Sequence, residues 1–177
     1  MKKQNLVKLT LAAMCLASGI VLPFLTMQIK EIGDSLLPMH FVALLCGIMC
    51  GKWYGLAVGF LIPLMRGVMF GMPPIYPNGV YMAFEIATYG FCLGLLYKKR
   101  VKKPFWYGYI CLITAQILGR IVWGIGKVML LGLGESGFTF TAFIVGGFVD
   151  ALPGILMQLI LIIPLVKLLE KLNVIEG

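Results

Sequence analysis

Long apolar stretches separated by short polar segments are the feature that most constrains this chain. The stretch from Leu36 to Gly71 is apolar except for a brief interruption around Lys52. As one helix it would be about 54 Å long at 1.5 Å per residue, far more than the ~30 Å hydrocarbon core of a bilayer. We therefore expect two short helices joined by a tight turn at Lys52, which also keeps that cation out of the hydrocarbon.

The rest of the chain divides into four more apolar stretches, and three prolines exclude a regular helix from residues 72–79. The sequence therefore predicts an all-α integral membrane protein with six transmembrane helices, forming one domain over residues 1–177. Beside the two helices flanking Lys52, the predicted spans are about Leu6 to Met27, Val80 to Tyr97, Trp106 to Leu131 and Thr139 to Leu165.

The basic residues predict the orientation of the chain in the membrane. With six spans, eleven lysines and arginines fall on the side of the two termini, and only Lys30 falls on the other. Because basic residues are enriched in cytoplasmic loops, we expect both termini to be cytoplasmic. The net charge of +8 follows from this placement at the ends of apolar stretches, which argues against nucleic-acid binding.

The sequence carries no recognisable catalytic or nucleotide-binding motif. It has no P-loop, no dinucleotide fingerprint and no room for a soluble catalytic domain. Cys46 and Cys50 would share a helix face, but no histidine or second cysteine pair completes a metal site. We expect no enzyme activity, no cofactor and no metal, so uphill transport would need an ion gradient or partner subunits.

Ionisable residues inside the spans point to a functional site, because each costs roughly 2.5–3.5 kcal/mol at a helix centre. The predicted topology places all of them at similar depth in the outer half, beneath residues 72–79. Gln116 and Trp123 share a helix face with two of them at spacings of three and four. The ionisable residues are His40, Arg66, Glu85, Arg120, Lys127 and Asp150.

These charges allow two interpretations. In the first, Arg66 pairs with Glu85 and Arg120 with Asp150, so that buried ion pairs hold the bundle together and Lys127 is left over. In the second, three cations against two carboxylates give a pocket with about one net positive charge. A ligand with a single carboxylate would balance that charge.

Small residues mark surfaces where helices approach closely. Ala13 and Ala17 form a small-xxx-small pair on the first helix, which suits either a partner helix or ordinary internal packing. The pairs Gly55/Gly59, Gly67/Gly71 and Gly90/Gly94 have the same spacing, and we expect them to pack within the bundle.

The whole chain resembles the S components, the substrate-binding subunits of energy-coupling factor (ECF) vitamin transporters. It shares their length, six spans and a basic loop between the fourth and fifth spans. The segment from Ala13 to Ala17 matches the family's Ala-xxx-Ala motif. Residues 71–74 and the segment from Met82 to Gly90 look like the third loop and fourth helix of family members.

The resemblance implies a subunit of an importer in a bacterial plasma membrane. It would capture a vitamin at the outer face and deliver it with a transmembrane coupling subunit, docked at Ala13 and Ala17, and two cytoplasmic ATPases. The pantothenate group is the most similar, although groups for hydroxymethylpyrimidine, pyridoxine or queuosine precursors share much of the pattern. The implied substrate-binding residues are Asn78, Glu85, Tyr89, Gln116, Arg120, Trp123, Lys127 and Asp150.

Two other functions remain open at this point. A self-sufficient ion-coupled carrier would use Glu85 or Asp150 as its proton site and would transport without ATPases. A structural or assembly protein of the membrane would bind no solute at all.

Overall fold

The computed structural model describes residues 2–26, 37–97, 106–132 and 139–171. All regular structure within these ranges is helical, which confirms the predicted all-α fold. Of the predicted loops, 28–35, the basic run 98–103 and nearly all of 132–137 lie outside the described residues. The helices are α1 (Lys2–Val21, extended by a 3-10 turn at Leu22–Thr26), α2 (Pro38–Cys50), α3 (Lys52–Phe70), α4 (Val80–Leu96), α5 (Trp106–Leu131), α6 (Phe140–Ile144) and α7 (Leu152–Lys171).

Five helical segments of the described chain are long and apolar enough to cross a membrane. The second predicted span, α2, has 13 residues and is therefore only about 20 Å long. The chain is thus a multi-pass membrane protein with five full-length spans and one short apolar helix. The cytoplasmic location of both termini stays a prediction. The five segments are Gln4–Phe24, Lys52–Phe70, Ile75–Leu96, Trp106–Leu131 and Phe140–Leu169.

The predicted break within the long apolar stretch is confirmed, and it occurs at a glycine. Gly51 has φ 99° and ψ 172°, a backbone conformation that residues with a side chain rarely adopt. It ends α2, and Lys52 is the first residue of α3. Lys52 therefore lies at a helix terminus instead of in the middle of a span.

Helix α4 is at the centre of the bundle, where it packs against α2, α3 and α5. Glycines permit this close approach: a Cβ on Gly90 would lie 2.3 Å from the carbonyl oxygen of Gly55. A Cβ on Gly47 would lie 2.2 Å from the carbonyl oxygen of Gly90. Gly59 and Gly94 face neighbouring backbone equally closely, so internal packing of these two predicted pairs is confirmed.

The sixth span is not the single helix predicted from about Thr139 to Leu165. Between α6 and α7 the chain forms a wide turn, Val145–Val149, in which the amide of Asp150 donates to the carbonyl of Val145. Two adjacent glycines weaken the helix in this turn. Pro153, in the first turn of α7, lacks an amide donor, and its ring crowds the carbonyl four residues earlier, so a regular helix cannot continue through it.

The proline-rich segment ahead of α4 contains no regular helix, as predicted. It forms one wide turn, Ile75–Gly79, within which Tyr76 has the extended values φ −119° and ψ 135°. The amide of Gly79 donates to the carbonyl of Pro74 and closes the turn, after which α4 begins. This segment brings Asn78 to the same end of α4 as Tyr81.

Candidate functional site

A buried carboxylate organises the polar interior of the bundle. Glu85 on α4 is 1% exposed, and its Oε1 accepts hydrogen bonds from Arg120 Nη1 at 2.7 Å and from the Tyr89 hydroxyl at 3.0 Å. His40 Nε2, from α2, lies 3.4 Å from the same oxygen. Three helices thus meet at one carboxylate oxygen, and the predicted site residues Glu85, Tyr89 and Arg120 lie together.

Arg120 reaches this carboxylate because α5 approaches α4 closely at a glycine. A Cβ on Gly119 would lie 2.3 Å from the Tyr89 ring, so only glycine leaves space for that ring. The neighbouring Arg120 is then held against α4 in a buried position. The structural interpretation that pairs Arg66 with Glu85 and Arg120 with Asp150 is therefore wrong, because Arg120 pairs with Glu85.

Arg66 is buried at a different place, between the ends of α1 and α3. Its Nη1 donates to the backbone carbonyl of Ile20 in the last turn of α1. Its guanidinium carbon lies 5.3 Å from the Phe24 ring centre and 5.5 Å from that of Phe70. A cation is favourable at a helix C-terminus and over aromatic faces, so Arg66 ties two helix ends together.

Asp150 is exposed and follows the wide turn of the sixth span directly. Within the described residues it forms no salt bridge with Arg120. In a regular helix Asp150 would share a face with Gly147, Gly154 and Gln158, and these three residues are all inside the bundle. The wide turn adds a residue to one helical turn and displaces Asp150 from that face.

Several buried side-chain nitrogens of the described residues make no hydrogen bond. They are Arg120 Nε and Nη2, Gln158 Nε2, both ring nitrogens of His40 and, outside the candidate site, Arg66 Nε. Gln116 and Gln158 are joined by a 2.8 Å bond from Gln116 Nε2 to Gln158 Oε1, which leaves the amide nitrogen of Gln158 unused. Buried polar groups are normally hydrogen-bonded, so this surplus of donors suits a ligand rich in acceptor oxygens.

The comparison with protein families matches this chain to "ECF transporter, substrate-specific component" over residues 7–166. The chain belongs to that family. It is therefore the substrate-specific subunit of an ECF transporter. No curated protein and no solved structure matches the chain.

Towards the N-terminal end of α4, the candidate site of this S component is aromatic. Lys127 Nζ lies 4.3 Å from the Trp123 ring centre and 5.4 Å from that of Tyr81. The Tyr81 hydroxyl donates to Asn78 Oδ1 at 2.7 Å, and Phe143 of α6 packs 6.1 Å from Trp123, centre to centre. The predicted residues Asn78, Trp123 and Lys127 thus form an aromatic, cationic end of the site.

The charged residues of the candidate site differ from those predicted. Arg66 lies between the ends of α1 and α3, and Asp150 is exposed, so one predicted cation and one predicted anion are not part of the candidate site. Among the described residues, Arg120 and Lys127 are the cations of the candidate site and Glu85 is its carboxylate. The candidate site combines these charged groups with unused donors and aromatic faces.

Some residues of the candidate site were not among the implied substrate-binding residues. His40, predicted only as one of the ionisable residues inside the spans, contacts Glu85 directly. Gln158 was not predicted, and its spacing of four from Gly154 on one helix face was the available signal. Phe143 carries no distinguishing pattern, because only the packing of α6 brings its ring to Trp123.

The described residues contain no group of three or more His, Cys, Asp or Glu side chains placed to hold a metal ion. The polar groups of the candidate site are instead amides, a guanidinium, an ammonium, an imidazole, two phenols and one carboxylate. Such groups bind and orient a solute by hydrogen bonds and charge.

Proposed function

We propose that this S component captures a small water-soluble vitamin with a single carboxylate at the outer face of the membrane, with pantothenate as the best candidate. The observation that carries the proposal is the set of buried donors of Arg120 and Gln158 that have no hydrogen-bond partner among the described residues. A carboxylate accepts several hydrogen bonds, and its negative charge suits the Arg120 guanidinium.

A carboxylate is favoured over a neutral solute because of what surrounds Arg120. Its Nη1 is used by Glu85, whereas its Nε and Nη2 have no partner and are buried. An unsatisfied buried donor on a charged group is costly, and a charge-assisted hydrogen bond to a ligand removes that cost. Pantothenate also brings hydroxyl and amide groups that could engage Gln158 and Asn78.

The aromatic end of the site suits the apolar part of such a ligand. Trp123 and Tyr81 are buried and lie edge to face, with ring centres 6.4 Å apart. Lys127, which lies over both rings, adds the second cation of the site. Together these groups bind one end of a solute by charge and the other by packing.

The first helix supports docking to a transmembrane coupling subunit. Ala13 and Ala17 are exposed, while Ala12 and Cys15 on the opposite side of α1 are buried against the bundle. Internal packing therefore does not explain the small-xxx-small pair, and a close-packing partner helix does. In the proposed complex, two cytoplasmic ATPases supply the energy for import through that subunit.

The proposal is tested by screening the purified protein against water-soluble vitamins in a thermal-shift assay, with native mass spectrometry as the second readout. We expect pantothenate to raise the melting temperature and to be retained in the gas phase. Sustained uphill uptake should require the coupling subunit and the ATPases. Uptake by the protein alone in vesicles with a proton gradient would instead identify an ion-coupled carrier.

Docking is tested separately with Ala13→Trp. We expect this variant to lose assembly with the coupling subunit in a co-purification experiment, because the indole blocks close helix approach, and to bind pantothenate like the unmodified protein. Val68→Trp, which changes an exposed residue of α3, is the control and should assemble. If Ala13→Trp assembled fully with the coupling subunit, α1 would not be part of the docking surface.

A further inference from the structure

A groove of about 410 Å³ runs along the surface between α3 and α4, away from the polar site. Its walls are apolar or aromatic, and it is open along its length. No residue of α1, the helix proposed to dock the coupling subunit, lines it. The lining residues are Leu56, Phe60, Phe84, Ala87, Thr88 and Phe91.

The groove begins near the predicted cytoplasmic end of α3. Leu56 and Phe60 follow Lys52, the first residue of α3, by four and eight positions, which is about 6 and 12 Å along a helix. Half of a bilayer's hydrocarbon core is about 15 Å thick. On α3 the lining therefore begins about one helical turn below the predicted cytoplasmic surface and reaches about the middle of the membrane, and on α4 it continues to Phe84, the residue before Glu85.

The interior of the groove is suited to a hydrocarbon chain. The Phe60 and Phe84 rings meet edge to face at its inner end, with centres 5.6 Å apart. Its one polar side chain, Thr88, donates its hydroxyl to the carbonyl of Phe84 at 2.7 Å. An acyl chain in the groove would thus leave no hydroxyl donor unpaired.

A cation lies at the end of the groove nearest the predicted cytoplasmic surface. Lys52 Nζ is 5.9 Å from the ring centre of Phe91, which lines the groove, and 5.4 Å from that of Trp53. Trp53 is 66% exposed, as expected of an aromatic residue at a membrane interface. Across the described ranges no carboxylate forms a salt bridge with Lys52.

We propose that this groove binds an anionic phospholipid of the cytoplasmic leaflet, with an acyl chain between α3 and α4 and the phosphate headgroup at Lys52. Charge complementarity selects the occupant: the cytoplasmic leaflet is rich in anionic lipids, which basic residues near its surface attract. The site is distinct from the vitamin pocket and goes beyond the proposed transport function. Its test requires no knowledge of the vitamin.

The test is native mass spectrometry of the purified full chain with phosphatidylglycerol or phosphatidylcholine carrying identical acyl chains. We expect phosphatidylglycerol to be retained about fivefold better, the effect of one basic residue near the surface. Lys52→Gln should abolish the preference. Lys8→Gln, which removes a basic residue from the exposed face of α1 on the same side, should preserve it.

A second pair of variants tests the groove itself. Thr88→Trp fills the groove and should reduce retention of both lipids. The matched control is Thr114→Trp on α5, because Thr114 also donates its hydroxyl to the carbonyl four residues earlier and does not line the groove. Unchanged helicity and elution volume establish that each variant is folded.

Three results would overturn the lipid site. Equal retention of the two lipids by the unmodified protein would show that no contact with the headgroup selects the anionic lipid. An undiminished preference in Lys52→Gln would place that contact elsewhere. Efficient cross-linking of Thr88→Cys to the coupling subunit in the assembled transporter would show that a protein partner covers the groove.

Discussion

Two buried arginines at similar expected depth occupy opposite kinds of surroundings in this S component. Arg66 meets the carbonyl of Ile20 at the end of α1 and two phenylalanine rings. Arg120 meets Glu85, which also contacts Tyr89 and His40. The comparison teaches that two charged residues inside spans can have different roles. The groups that contact each residue, and the hydrogen-bond donors that those groups leave unsatisfied, indicate whether it stabilises the bundle or binds a solute.

At Arg66 the contacting groups are a backbone carbonyl and two aromatic rings, and its Nε, like that of Arg120, is buried without a hydrogen-bond partner among the described residues. At Arg120 the contacting group is the Glu85 carboxylate, and Nη2 is unused as well as Nε. One turn earlier on α5, Gln116 bonds Gln158, whose amide nitrogen is also unused. Arg66 therefore connects helices, and Arg120 belongs to the proposed pocket. Four substitutions test this division, in order of their expected effect on vitamin affinity.

Arg120→Gln should have the largest effect. Removing the guanidinium takes away the donors proposed for the vitamin carboxylate and leaves Glu85 unpaired, so we expect pantothenate affinity to fall at least about 100-fold. The measurement is isothermal titration calorimetry of the purified protein. Because an unpaired Glu85 could also destabilise the fold, the double variant Arg120→Gln/Glu85→Gln is the control; it should be folded and still fail to bind. Tight binding by the double variant would contradict the assignment.

Lys127→Ala should weaken binding of an anionic vitamin by about tenfold, roughly 1.4 kcal/mol, because one of the two cations of the site is lost. The helix should be unaffected, since alanine is a strong helix former. Titration at low and high salt checks the electrostatic origin. Lys127→Arg should recover most of the affinity, and an unchanged affinity of Lys127→Ala would remove the charge-balance argument.

Gln158→Met should weaken binding only about threefold to tenfold, the range expected when one neutral hydrogen bond of about 0.5–1.5 kcal/mol is lost. Methionine preserves the length and apolar contacts of the side chain. The same titration measures it, with Met157→Leu on the neighbouring position of α7 as the control. An affinity equal to that of the unmodified protein would mean that the free amide of Gln158 does not face the ligand.

Arg66→Gln should change pantothenate affinity by less than about twofold, yet lower stability by about 1–3 kcal/mol, because the bond to Ile20 and two cation–π contacts are lost. Thermal unfolding in detergent measures the stability, and calorimetry measures the affinity. A loss of affinity comparable to that of Arg120→Gln would break the distinction between the two arginines.

Much of the fold follows from the sequence, because hydropathy, proline and charge placement act locally. The break before Lys52, the irregular proline-rich segment and the limits of α5 agree with prediction. The sixth span differs, since its wide turn depends on Gly146, Gly147 and Pro153 acting together in one packed segment.

The site was less predictable, because pairing depends on how each helix is rotated in the bundle. Spacing placed Gln116, Arg120 and Trp123 on one buried face of α5, as the structure has it. Spacing could not show that Arg120 pairs with Glu85 whereas Arg66 donates to a backbone carbonyl, because both arginines have a similar predicted depth and similar apolar neighbours in the sequence. That choice rests on Gly119, which brings α5 against Tyr89.

The most direct test of the central claim is a parallel native mass-spectrometry screen of the unmodified protein and Arg120→Gln against water-soluble vitamins. The account predicts that the unmodified protein retains a vitamin with one carboxylate, with pantothenate as the best candidate, and that Arg120→Gln retains none. Retention of only neutral or cationic vitamins, or equal retention of the acid by both proteins, would contradict it.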